Sequence, residues 1–439
     1  MKKKKLVFLL VIISILGIFI FQLRKSSEIK LGEEPTFWVV SDVHLIANSL
    51  HDDGEEFQRI KQTSAGKELD YQEESIHALV DSAIKEKISG LIITGDLTLN
   101  GEKKSAEKLA ELLAPLEENG IMSLVIPGNH DIHDGWARKF EKDNAMVTEQ
   151  ISPKDFQMIF SSSYKVADGK DKESLSYAVE VNPSLKFLML DTNIYGKLPG
   201  TTVSKTNGIL KPETLAWIET QLKAGKEKNQ RSVVFMHHNL YQHNDLINKG
   251  YVLDNAKELE LLLKGYDVPL VFSGHTHAQS IKSNETTSLV EIMTASYAIT
   301  EQTYGEVTFG KDAITYQSKS VDVTAWSKGK GLTETPLTNY NEYTKELFLA
   351  DSRRMAYGQL IENGLYEDDV LDEIAYFVGE LNWAYFTGNN DYQASDIEAI
   401  KKEKGYQLLQ EESPFLLEYV DSLLKESVIN NREVTIPLK

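Results

Sequence analysis

The chain has 439 residues, 41% of them hydrophobic and 26% charged, enough apolar material for one large domain or two ordinary ones. It holds no cysteine, which excludes a thiolate nucleophile, a cysteine-type zinc site, a disulfide scaffold and a bacterial lipoprotein anchor. A net charge of -19 argues against nonspecific nucleic-acid binding and against a peripheral contact with anionic lipid.

Four lysines follow Met1, and an apolar run extends from Leu6 to Phe21. No small-x-small cleavage site precedes Gln22, so the run predicts an uncleaved signal anchor rather than a cleaved signal peptide. The lysine block outweighs Arg24 and Lys25. It places the N-terminus in the cytoplasm and the body outside, in a bacterial envelope, or secreted if the segment is cleaved. Residues 1–35 are therefore expected to form a signal anchor, or a signal peptide, and a linker.

From Thr36 strands and helices alternate. "TFWVVSDVH" reads as a buried strand, followed by a helix over 71–87 with apolar positions at Ile76, Leu79, Val80 and Ile84. "LIITGD" is the next strand, and a helix over 102–118 ends at Asn119-Gly120. Further strands are "MSLVIPGNHD", "SLSYAVEV", "KFLMLDTN", "SVVFMHHN" and "VPLVFSGHTH", with helices over 212–226 and 255–264 among them. Short strands follow at 289–293, 306–309 and 313–318. The order predicts a mixed α/β fold rather than a strict βαβ series. After about Val323 the character changes. A linker-like stretch at 329–339 leads to helices over 340–360, 367–385, 395–402 and 414–428. The expected domains are 36–322, which carries the motifs, and 323–439, which is all-helical and holds no histidine.

The chemistry sits where the strands end. "VVSDVH" supplies Asp42 and His44, and "IITGD" supplies Asp96. "VIPGNHD" supplies Asn129, His130 and Asp131. "VFMHHN" supplies His237 and His238, and "FSGHTH" supplies His275 and His277. Each fragment alone is weak: an Asp-x-His is a common accident, and Gly-Asn-His-Asp suits a capped turn. Five apolar strands that all finish in carboxylate, amide or imidazole are another matter, because open α/β sheets build their sites outside the carboxyl ends of strands. Carboxylate, amide and imidazole donors gathered in this way can hold two cations roughly 3.5–4 Å apart, provided a carboxylate is shared between them. Oxygen and imidazole donors without thiolate favour iron, manganese or zinc.

These motifs, in this order, resemble the signature of calcineurin-like metallophosphoesterases: D-x-H, G-D, G-N-H-[DE], a histidine turn and G-H-x-H. The resemblance covers roughly 36–320. It implies two mixed β-sheets packed as a sandwich and flanked by helices. It also implies two metal ions, manganese and iron first and zinc as an option. Asp42, His44, Asp96 and His277 would hold the first ion. Asp96, Asn129, His237 and His275 would hold the second, with Asp96 as the bridge. His130 would serve as general acid and Asp131 would orient it. Asn129 and His238 would contact the phosphate, His238 with turn-capping as its alternative. The fourth motif has Asn239 where Pro often follows, which leaves that turn open. "GDLTLNG" lacks the arginine of Ser/Thr protein phosphatases, and the third motif ends in Asp131 rather than Glu.

These departures point to the branch of class III cyclic-nucleotide phosphodiesterases and glycerophosphodiesterases. The implied reaction is attack of a metal-bridging hydroxide on a small phosphodiester, a cyclic nucleotide first. Glycerophosphodiester or phosphomonoester hydrolysis remains the alternative, as does a metal-stabilised envelope binding protein without turnover. No nucleic-acid polymer is expected as partner. Trp136, Tyr195, Tyr241 and Tyr297 lie near motif ends and are candidates to stack on a base. His51, His77, His133 and His243 read as loop, packing or surface residues.

Overall fold

The computed structural model describes residues 29, 34–284, 286–425 and 430–438. The apolar run at 6–21 lies outside them. Among the described residues, no helix is long and apolar enough to cross a membrane. The strands are β1 (Thr36–Val40), β2 (Gly90–Thr94), β3 (Met122–Ile126), β4 (Arg138–Glu141), β5 (Asn144–Val147), β6 (Gly169–Lys170), β7 (Tyr177–Asn182), β8 (Leu185–Met189), β9 (Arg231–Phe235), β10 (Leu270–Ser273), β11 (Ser280–Asn284), β12 (Leu289–Met293), β13 (Thr303–Phe309), β14 (Ala313–Ser320) and β15 (Glu433–Pro437).

They form two mixed sheets and a hairpin. One sheet runs β15-β14-β13-β1-β2-β3, the other β11-β12-β10-β9-β8-β7-β6, and β4-β5 stand apart. The parallel pairs are β1 with β2 and β2 with β3 in one sheet, where β3 is an edge strand, and β8 with β9, β9 with β10 and β10 with β12 in the other. Both faces of these strands are covered, so their sequences are nearly unbroken apolar runs. By contrast β14 has one face towards solvent, and its residues alternate between buried and exposed.

The inner faces of the sheets meet through aromatic rings. Phe37 of β1 lies edge-on to Phe187 of β8, with centroids 5.0 Å apart, and Phe187 packs on Phe309 of β13 at 5.2 Å. Tyr177 of β7 donates its hydroxyl to the carbonyl of Val125 in β3, at 2.9 Å. Helices Gln72–Glu86 and Lys103–Glu118 add Ile76, Leu79, Leu109 and Leu113 to this core. Helices Pro212–Glu227 and Ala256–Gly265 cover the other face of the second sheet, with Ile218, Leu222, Leu259 and Leu263 against Leu188, Val234 and Val271.

Helices Tyr340–Glu362, Asp368–Phe386, Ala394–Ile400, Lys404–Glu412 and Pro414–Leu423 build a further core, to which the sheet region lends Ala278 and Met293. The chain then returns as β15, which pairs antiparallel with β14. The expectation of helices alone to the C-terminus misses this strand. "EVTIP" is a five-residue edge strand whose only buried side chain is Ile436, too little pattern to read in isolation. The stretch at 329–339 is also more ordered than a linker. It holds the end of helix Val323–Lys330, capped by left-handed Gly331, and the short helix Thr335–Thr338.

Candidate active site

The five strand ends converge on one side of the sandwich. The turn after β1 is laddered to the turn after β2: Asp42 N donates to Gly95 O at 3.0 Å and His44 N to Asp96 O at 2.9 Å. The turn after β10 joins them when His275 N donates to Asp42 Oδ2 at 3.0 Å. Asp42, His44, Asp96, His275 and His277 all have positive φ, between 45° and 69°. A non-glycine residue in that region costs of order 1–3 kcal/mol, and such strain collects at functional sites. The glycines of the motifs serve close approach. A Cβ on Gly128 would strike the backbone nitrogen and carboxylate of Asp96, and one on Gly274 would strike the Ser41 and Asp42 side chains.

Two ligand clusters result. Asp42, His44, Asp96 and His277 bring donor atoms within 4.8 Å of one another, and Asp96, His237 and His275 do the same. Asp96 belongs to both. His44 Nε2 and His277 Nε2 face each other at 3.0 Å, and Asp42 Oδ1 lies 3.4 Å from the His277 nitrogen. Burial lowers the pKa of both imidazoles, so each ring is neutral at neutral pH and has one nitrogen lone pair to offer a cation. Asp42 Oδ1 is buried and has no hydrogen-bond partner. Converging lone pairs and an unsatisfied buried carboxylate oxygen are what a cation would complete.

The second cluster has fixed tautomers. His237 Nδ1 donates to Thr94 O at 2.9 Å, which leaves Nε2 facing Asp96 Oδ2 at 3.4 Å and Asn129 Oδ1 at 3.1 Å. His275 Nε2 is held by the carbonyls of Thr206 and Gly250, at 2.9 and 3.2 Å, which frees Nδ1 for the cluster. Burial pulls His237 down, but Asp96 and Asp42 outweigh it and hold its pKa up at about 9, so a cation would bind Nε2 in exchange for a proton. Burial, followed by the charge of His237, takes His275 down to about 3. The residues thus fit a pair of ions in chemistry and placement.

His130 stands beside both clusters. Its backbone N donates to Asp96 Oδ1 at 2.8 Å, and its ring is 5.6 Å from that of His44. Burial lowers its pKa, but Asp96 and then Asp134 outweigh this and raise it above the ordinary value. The expected Asp131 contact is absent. Asp134 Oδ2 takes that place, 3.1 Å from His130 Nδ1. Asp131 instead accepts from Leu97 N, Thr98 N, Thr98 Oγ1 and Gly128 N at 2.8–3.1 Å. It ties two motif turns together, because the tight turn over 128–131 sends adjacent side chains in opposite directions. The only sequence signal for Asp134 was its place in "NHDIHD".

Of the two roles open to His238, its contacts match the turn brace. It is fully buried, with Nδ1 2.7 Å from Thr192 Oγ1 and Nε2 3.0 Å from Thr206 O. Both nitrogens are used by the protein, so the ring braces the loop carbonyl that also holds His275 and has none left for phosphate. Asn239 resolves the open turn: its Nδ2 donates to Ser273 Oγ and Gly274 O, and its Oδ1 accepts from Thr276 Oγ1. Among the stacking candidates, Tyr297 is buried against Ser75, Tyr241 bonds Glu260 and Tyr195 bonds Asp191. Trp136 is 53% exposed, and its backbone N is bound to Asp134. His243 lies in a loop, one of the readings given for it, with its side chain buried 3.1 Å from Glu291.

Comparison with known proteins agrees with this geometry. The family model described as "Calcineurin-like phosphoesterase" matches residues 35–279, and "C-terminal domain of cyclic nucleotide phosphodiesterase" matches 322–430. A probable glycerophosphodiester phosphodiesterase of Arcobacter nitrofigilis is 26% identical over 301 residues, 64% of this chain and 93% of that protein. A probable cyclic nucleotide phosphodiesterase of Vesicomyosocius okutanii is 25% identical over 191 residues, 43% of this chain and 63% of that one. A DNA double-strand break repair protein of Sulfurisphaera tokodaii is 27% identical over 247 residues, 53% of this chain and 51% of that one.

Proposed function

The chain belongs to the calcineurin-like phosphoesterase family, and on that premise we propose that it hydrolyses a small phosphodiester, a cyclic nucleotide first, with two transition-metal ions. The observation that carries the proposal is the sharing of Asp96 between two ligand clusters. Asp42, His44, Asp96 and His277 would hold one ion, and Asp96, Asn129, His237 and His275 the other. When bound, such a pair activates water at neutral pH and neutralises charge on the phosphoryl oxygens. Imidazole, carboxylate and amide donors suit manganese, iron or zinc.

The chain's own groups supply the rest. Only Asp42 and Asp96 bring negative charge to the two ligand sets, so the loaded site attracts an anion. Asn129 Oδ1 ligates without adding charge, and its Nδ2 is held by Ser204 at 3.4 Å. His130, oriented through Nδ1 by Asp134, keeps Nε2 to donate a proton to the departing alkoxide.

Cyclic nucleotide is favoured by the match over 322–430. Glycerophosphodiester is the second reading, favoured by a relative matched along nearly its whole length. The test is turnover by the purified, manganese-loaded chain of cyclic nucleotides, glycerophosphodiesters, monoesters and bis(nitrophenyl) phosphate. No turnover of any of them would leave only the binding-protein reading. We also propose that the body lies outside the membrane, on the strength of the lysine-flanked apolar run. Protease added to intact, wall-stripped cells should digest it, and full protection until lysis would reverse the topology.

A further inference from the structure

The loop before helix Gln72–Glu86 carries a cation with no counter-ion among the described residues. Lys67 is partly buried. Among the described residues its ammonium makes one hydrogen bond, to Ser64 O at 3.3 Å, and no carboxylate lies within ion-pair distance. The loop is tied to the metal-ligand turns. Glu68 N donates to Ala298 O at 2.8 Å, and Ala298 N donates to Asp42 O at 3.3 Å. This ladder sets Lys67 next to the turn that carries Asp42, with its charge in electrostatic reach of Asp42 and Asp96. Once cations neutralise those two carboxylates, an unpaired, partly buried ammonium is left beside a positive centre. Such a charge is costly unless an anion joins it.

The same loop is held from its other side by one face of helix Tyr340–Glu362. Tyr340 Oη donates to Glu68 Oε2 at 3.0 Å, and Tyr343 Oη reaches Asp70 Oδ2 at 3.3 Å. Phe348 closes over Gly66, where a Cβ would lie 3.1 Å from the ring and where φ is +73°. Asp351, one turn further along, is the third carboxylate that Lys67 feels. Tyr340, Thr344, Phe348 and Asp351 are all buried and fall three or four apart, on one helical stripe.

We infer that Lys67 is a substrate-binding residue, pairing with an anionic oxygen of the bound phosphoester, and that helix Tyr340–Glu362 positions it through Tyr340, Phe348 and the Glu68 loop. The inference rests on the phosphoesterase reading above. It gives the C-terminal helical region a part in the site without any metal ligand of its own.

The test uses the full chain loaded with manganese and reads calorimetric affinity for inorganic phosphate, metal content, and KM for bis(nitrophenyl) phosphate. Lys67→Gln should keep its metal and weaken phosphate binding roughly 10- to 100-fold, the scale of a lost charge-assisted hydrogen bond. KM should rise in parallel. Lys67→Arg should recover most of the affinity, which separates charge from packing. Tyr340→Phe should shift phosphate affinity in the same direction by less, and should add nothing in the Lys67→Gln background. Unchanged phosphate affinity in Lys67→Gln, or loss of metal in it, would overturn the inference. Additive effects of the two substitutions would overturn the positioning role of the helix. A wild-type chain that binds metal yet turns over no phosphoester would instead overturn the parent reading, and Lys67 with it.

Discussion

His130 Nδ1 and Asp134 Oδ2 lie 3.1 Å apart, and the Asp134 carboxylate is fully buried. The pair fixes the His130 tautomer and raises its pKa together with Asp96. If Nε2 then gives a proton to the leaving oxygen, the need for His130 should track how poor that leaving group is. His130→Ala should keep its metals and lose little on a nitrophenyl ester. On a ribose or glycerol ester it should lose about 10²- to 10⁴-fold. Equal losses on both would reduce His130 to charge stabilisation.

Asp134→Asn tests the pair from the other side. Removing the carboxylate lowers the His130 pKa, so the protonated acid disappears at lower pH. The basic limb of the kcat profile on an alkyl ester should move towards acid. Asp131→Asn should act differently, because Asp131 holds the turns of Leu97, Thr98 and Gly128. It should lower Tm and leave the shape of the basic limb alone. A shifted limb in Asp131→Asn with none in Asp134→Asn would restore the expected order.

Asp96 serves both clusters and Asp42 only one. Elemental analysis should therefore find about two ions per wild-type chain. Asp96→Ala should lose both ions, and Asp42→Ala should lose one more readily than the other. A single ion in active, unchelated wild type would contradict the shared-carboxylate geometry.

Glu68 sits between the sheets and the C-terminal helices, 2% exposed, and burial pushes its pKa up to about 7. In the unfolded chain it returns to the ordinary value near 4.5. Between those pH values the folded state binds more protons, so stability falls as pH rises, by about 3 kcal/mol once pH 7 is passed. Glu68→Gln keeps the acceptor oxygen and removes the titration. Its stability should decline less than wild type between pH 5 and 8, read by urea unfolding. Parallel declines would show that Glu68 is charged throughout.

Ile436 of β15 is 6% exposed and packs into the core shared by both sheets. Ile436→Ala should cost about 2–4 kcal/mol in chemical denaturation. A loss under about 0.5 kcal/mol would mean that the strand is only loosely added to β14.

The α/β order and the site were legible in the sequence because each motif is local. A buried strand followed by Asp, His or Gly-Asn-His keeps its meaning wherever the strand lies in the sheet. For that reason Asp42, His44, Asp96, Asn129, His237, His275 and His277 could be named in advance, and the structure gathers them at one end of the sandwich. What one chemical type does next to another is not local. Asp131 and Asp134 are both carboxylates near His130, and only the turn over 128–131 decides which of them reaches its ring. His238 reads as an active-site histidine, yet the loop carrying Thr206 folds back and takes its Nε2.

Long-range relations were equally hidden. Lys67 is one of many lysines in the sequence. Its loop is tied to the turn of Asp42 because Glu68 meets Ala298, 230 positions away in the chain, and is held from the other side by Tyr340. β15 has too few buried residues to announce itself, and it becomes a strand because β14 offers unpaired backbone groups along one edge. The sequence by itself determined which residues could bind metal, through strand ends and residue chemistry. The tertiary structure alone decided which partners orient them, since hydrogen bonds and charges act across space between segments whose separation in the chain carries no signal.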